Sequence, residues 1–104
     1  MKVRQISDWA LEDRLSMDGA PLVVLFRETG SRAADVRRYE FRRVAQEHPD
    51  IAFVEVDVLE NPSLAARYSL QATPAVLVFI RGLEAARHQS GRLEETVDRI
   101  LGPC

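Results

Sequence analysis

The sequence predicts an α/β fold, with a central mixed five-stranded sheet flanked by four helices. Three observations carry this expectation. Short apolar runs at residues 22–26 (LVVLF), 51–58 (IAFVEVDV) and 75–80 (AVLVFI) alternate with longer segments whose apolar residues recur at helical spacing. The run at 22–26 shows no polar alternation, as expected of a strand covered on both faces. The last run is followed by Arg81-Gly82 and a further extended segment, which adds antiparallel strands to a core that strand-helix alternation makes parallel.

The elements follow in order. Residues 2–6 place Val3 and Ile6 among polar neighbours and predict a short edge strand. Ser7 caps a helix whose apolar face is marked by Trp9 or Ala10, Leu11 and Leu15, and Asp18-Gly19-Ala20-Pro21 ends it. After the strand at 22–26, the turn Glu28-Thr29-Gly30 leads to Ser31, whose hydroxyl is placed to accept from the Ala34 N–H while Asp35 favours the helix start. That helix runs to about residue 47, with Ala34, Phe41, Val44 and Ala45 toward the core and Arg37, Arg38, Arg42 and Arg43 left for water. His48-Pro49-Asp50 stops it.

Asn61-Pro62 then opens a third helix, Asn61 capping and Pro62 at its first position, through about Tyr68. Residues 83–88 form a hairpin partner for the strand at 75–80. The closing helix, 92–101, uses Leu93, Val97, Ile100 and Leu101.

Composition excludes several function classes. With 104 residues and 46% hydrophobic content, the chain is expected to form one domain over 1–104. A formal charge of −2 supplies no global field for nucleic acid or an anionic membrane. The longest apolar run, residues 74–80, is far below the roughly 18 residues of a membrane span, and MKVRQISDW lacks the features of a secretory signal, so a cytoplasmic protein is expected. The one cysteine, Cys104, excludes an intramolecular disulfide and a thiolate metal site, and His48 and His88 share no ligand spacing. No metal and no cofactor are expected.

The element order and three local matches resemble the thioredoxin family over essentially the whole chain. They are PLVVLF with its following turn and helix start, DVLENPSLAARYSLQATPAVLVF at 57–79, and the hairpin glycine of Arg81-Gly82. The resemblance implies a thioredoxin fold and a cis peptide bond between Thr73 and Pro74. It places the family's redox motif, a cysteine pair separated by two residues, on Ser31, Arg32, Ala33 and Ala34. The flanking tryptophans correspond to Arg27 and Gly30, the buried acid to Leu25 and its lysine partner to Glu55.

Disulfide exchange requires a thiolate, which a helix N-terminus favours by lowering a thiol pKa of about 8.5. A serine hydroxyl titrates too high for that help to matter, and Ala34 has nothing with which to resolve a mixed disulfide. Once no thiol needs a base, a buried carboxylate brings only a desolvation cost, which Leu25 removes. These positions therefore read as degenerate redox-motif positions with no catalytic residue. Ser31 lacks an evident base among the histidines and reads as a cap.

The resemblance further implies a groove for polypeptide, with Gly30, Ser31, Arg32 and Ala33 on one rim and Thr73 and Pro74 on the other. Backbone pairing in such a groove requires no thiol. The expected function is a redox-inactive, polypeptide-binding domain of chaperone or assembly-factor type, not an enzyme, acting as a monomer or weak dimer. Its alternatives are a thiol-disulfide oxidoreductase and a structural subunit of a larger complex. The helix arginines read either as a docking patch for an acidic partner or as a solvated face with Glu40–Arg43 and Arg43–Glu47 pairs. Cys104 reads as a tail thiol or as the site of an intermolecular disulfide.

Overall fold

Strands form where the apolar runs fall. The computed structural model describes residues 3–7, 10–11, 19–88 and 91–102. Its strands are β1 (Arg4–Gln5), β2 (Leu22–Arg27), β3 (Ala52–Asp57), β4 (Ala75–Ile80) and β5 (Leu83–His88), and its helices α1 (Arg32–Gln46), α2 (Ser63–Arg67) and α3 (Leu93–Leu101). The sheet order is β1-β3-β2-β4-β5. The first three of these are mutually parallel, β4 runs antiparallel to β2, and β5 antiparallel to β4. The mixed five-stranded sheet is as the sequence predicts.

Both faces of the central strands are buried, and their side chains alternate between two apolar clusters, as a pleated strand requires. Leu22, Val24, Phe26, Val54, Val56, Leu77 and Phe79 pack on one face with Leu11 and Leu64. Val23, Leu25, Phe53, Val76 and Val78 pack on the other with Phe41, Val44 and Ala45 of α1 and Leu93 and Val97 of α3. The edge of β5 is managed rather than bare. A register shift lies between Val78 and Phe79, and Glu84 and Arg87 charge the strand.

Helix starts agree with the sequence in two cases and differ in one. Ser7 Oγ accepts from Ala10 N at 3.4 Å, although the rest of that helix, with Trp9 and Leu15, lies largely outside the described residues, as do Gln89, Ser90 and Cys104. Ser31 caps α1 as expected. Asn61 does not cap α2: its Nδ2 donates back to the Asp57 carbonyl at 3.0 Å, and Pro62 stands at the N-cap without a side-chain cap bond. The donor end of the Asn61 amide thereby ties the start of α2 back to the end of β3.

Candidate functional site

The register gathers the sequence-predicted residues at one end of the sheet. Phe26 pairs with Ala75, so the chain leaving β2 through residues 28–31 and the chain entering β4 through Thr73-Pro74 lie at the same edge, beyond the C-terminal ends of β2 and β3. Ligands of open α/β sheets bind outside the carboxyl ends of parallel strands. Gly30 is exposed at φ 90°, a left-handed conformation that suits glycine and turns the chain into α1. Arg32 and Ala33 are exposed on the first turn, while Thr73 and Pro74 are half-buried and joined by a cis peptide bond.

Ser31 is committed to the backbone. Its Oγ accepts from Ala34 N at 3.3 Å, and its carbonyl accepts from Asp35 N at 3.1 Å. Ala34, at the second cysteine position, is 1% exposed. The histidines are engaged elsewhere, His48 Nε2 with Asp98 at 3.2 Å and His88 Nδ1 with Thr96 Oγ1 at 3.0 Å. No group of acids, histidines or cysteines among the described residues is arranged to hold a metal. Ser31→Ala is expected to cost about 1 kcal/mol in urea unfolding, the worth of one helix cap.

The segment entering the cis bond is held from β5. The Arg87 guanidinium donates to the carbonyls of Tyr68 at 2.6 Å and Ser69 at 3.0 Å, and pairs with Glu84. Beside it lies a cavity of about 580 Å³ lined by Leu70, Gln71, Ala72, Pro74, Arg87 and His88 among others. Among the described residues the His88 Nε2 has no hydrogen-bond partner, and burial, joined by the Arg37 cation, pushes the imidazole below its ordinary pKa.

Behind the helix start, the expectation from sequence needs correction. Leu25 is buried and apolar as expected, but the region is not free of buried charge: a carboxylate stands at Glu55, 1% exposed, directly across from Leu25. Arg27, itself 3% exposed, donates its Nε to Glu55 Oε1 at 2.9 Å. Arg38 Nε reaches the same oxygen at 2.8 Å, and Arg42 Nε reaches Oε2 at 3.1 Å.

The remaining Arg27 nitrogens bond Gln5 Oε1 at 2.9 Å and Thr29 Oγ1 at 2.8 Å, and Thr29 donates onward to Asp57. Arg38 and Arg42 are thus not simply left for water, and Glu40 pairs with Arg37 rather than Arg43. Burial pushes the Glu55 carboxyl up, but Arg27, then Arg38 and Arg42, outweigh it and hold the pKa below the ordinary value.

One signal for this network was present in the sequence. Arg27 follows Val23 and Leu25 at period two, and Glu55 and Asp57 follow Phe53 on the neighbouring strand, so opposite charges end the same face of two buried strands. Only the register shows that they meet.

Among the described residues, no helix is long and apolar enough to cross a membrane. No protein-family model matches the chain. Comparison with known proteins returns relatives that match all or part of the chain. "Thioredoxin-like protein CXXS1" of Oryza sativa subsp. japonica is 31% identical over 103 residues, covering 98% of this chain and 68% of that protein. A thioredoxin of Mycoplasma genitalium is 38% identical over 48 residues, which cover 46% of this chain and just under half, 47%, of that protein.

Among solved structures, chloroplastic thioredoxin z superposes with a TM-score of 0.81 at 25% identity, covering 98% of this chain and 93% of that one. Sheet order, the helix opening after β2 and a relative matched over 98% of this chain converge, and the chain belongs to the thioredoxin-like family.

Proposed function

We propose that this thioredoxin-like domain binds polypeptide partners, as a chaperone or assembly factor does, and performs no disulfide exchange at its helix start. The observation that carries the chemical half is the pair of positions opening α1. Ser31 offers a hydroxyl that already caps the helix, and Ala34 is a buried methyl. Neither supplies the thiolate that exchange requires. The binding half is supported by the exposed turn at Gly30–Ala33 and the cis Thr73–Pro74 segment at the same sheet end, where an extended chain finds backbone groups to pair with.

Insulin reduction with a small reductant is expected to run no faster with the protein than without it. The thioredoxin names among the relatives favour a second reading, disulfide exchange, for which Cys104 is the sole thiol in the chain. Activity lost in Cys104→Ser would establish that reading, and activity retained in it would overturn the chemical half outright. For the binding half, titration with a reduced, carboxymethylated unfolded protein is expected to shift the amide NMR signals of Gly30 to Ala33 and of Thr73. Shifts confined to other surfaces, or none, would overturn it.

A further inference from the structure

We propose that the outer face of α1 is a docking surface for an acidic polypeptide segment, separate from the groove at the cis-proline end. Its core is a pair of arginines, Arg38 and Arg42, one helical turn apart. Each reaches Glu55 through Nε alone, Arg38 at 2.8 Å and Arg42 at 3.1 Å. Among the described residues, their terminal Nη atoms make no hydrogen bond. Glu55 therefore anchors the inner edge of both guanidinium groups and leaves the outer edges to a ligand.

An arginine usually gives up much side-chain freedom on binding an anion. Two forks already held by a buried carboxylate give up less, and the planar fork suits a carboxylate bidentately. The side chains remain reachable, 32% exposed for Arg38 and 51% for Arg42.

The surroundings fit the same occupant. Arg38, Arg42 and Arg43 line a shallow cavity of about 330 Å³ together with Tyr39, Gln46 and Asp35. Three arginines and one aspartate line it, two of the arginines already paired with the buried Glu55 and Arg43 not, on a chain whose formal charge is −2. Arg43 makes no ion pair among the described residues, and Asp35 sits in the first helical turn, which leaves the Arg42–Gln46 end the more positive.

Tyr39, 75% exposed, and Val36, 67% exposed, supply apolar contact beside the charges. A nucleic acid fits less well. Single strands need successive aromatic stacking platforms and a continuous basic track, and Tyr39 is the one ring on this helix face.

The test is fluorescence anisotropy of a short labelled peptide alternating Glu and Ser, with NMR mapping of the bound state. Saturable binding that weakens with added salt is expected, with amide shifts confined to residues 35–46. Arg43→Gln is expected to weaken it roughly fivefold, the worth of one exposed ion pair, and Arg43→Glu to weaken it further. Neither residue change disturbs a contact in the fold, and the exposed Arg99→Gln on α3 should leave affinity unchanged. No binding, an equal loss in Arg99→Gln, no loss in Arg43→Glu, or equally tight binding of oligouridylate or anionic vesicles would each overturn the proposal.

Discussion

Glu55→Gln is expected to cost about 3–5 kcal/mol in urea or guanidinium unfolding, because it strands a buried guanidinium. Against a total stability of about 5–15 kcal/mol for a domain of this kind, that is a large fraction. The glutamine side chain keeps one acceptor oxygen where Arg27, Arg38 and Arg42 now share two. Arg38 and Arg42 have water to turn to, but Arg27 is 3% exposed and does not. Removing both buried partners is a different experiment. Arg27→Met with Glu55→Leu takes the desolvated pair out together and is expected to recover most of the loss, since apolar replacement of a buried ion pair is often neutral or stabilising by about 1–4 kcal/mol.

The same carboxylate sets a pH dependence. Burial raises the Glu55 pKa, the three arginines lower it by more, and the folded value lies below the ordinary 4.5. A group depressed on folding contributes stability that is fully present above its unfolded pKa and lost as pH falls through the folded one. Stability is therefore expected to decline with acid from the ordinary carboxylate range downward. Glu55→Gln removes this group's share of the decline. Asp57 is also depressed, burial being outweighed by its bonds from Thr29 and Leu59 and by Arg27, so a smaller acid limb persists in the variant. An unchanged pH profile in Glu55→Gln would show that the arginines do not hold Glu55 ionised.

Phe41→Ala is expected to cost about 3–5 kcal/mol, the range for an aromatic removed from a core that cannot collapse around the cavity. Phe41 is fully buried between α1 and the sheet, and its ring meets Phe53 edge-on with centroids 5.3 Å apart. Two residues earlier on the same helix, Tyr39→Ala should change stability by no more than about 0.5 kcal/mol, because Tyr39 stands in water. Guanidinium unfolding of the two variants separates the helix faces. It also establishes whether the outer face is free to serve binding without loss of fold.

Much of this architecture could be read locally. Short apolar runs specify strands buried on both faces, and the spacing of Ala34, Phe41, Val44 and Ala45 specifies the buried stripe of α1. Ser31 declares the helix start because a hydroxyl three residues before an unbonded N–H is sufficient for a cap. The altered cysteine positions needed no coordinates, since the chemistry of disulfide exchange depends on atoms that are simply not there. Asn61 was misassigned for a local reason as well. An amide has both a donor and an acceptor, and sequence does not say which of them is used or at which residue the first turn begins.

The sequence by itself determined the strand segments, the helices at 32–46 and 93–101, the buried stripe of α1, the cap at Ser31 and the absence of thiols at the helix start. Each of these depends on residues within a turn or a strand of one another. Only the tertiary structure decided that the carboxylate of this region stands at Glu55, that Arg27 is buried against it, and that Arg38 and Arg42 are anchored while Arg43 and Tyr39 are not. Those contacts join residues 28, 17 and 13 positions apart. They depend on β2–β3 register and on the rotation of α1 over the sheet, and a charge has no periodicity from which its partner can be read.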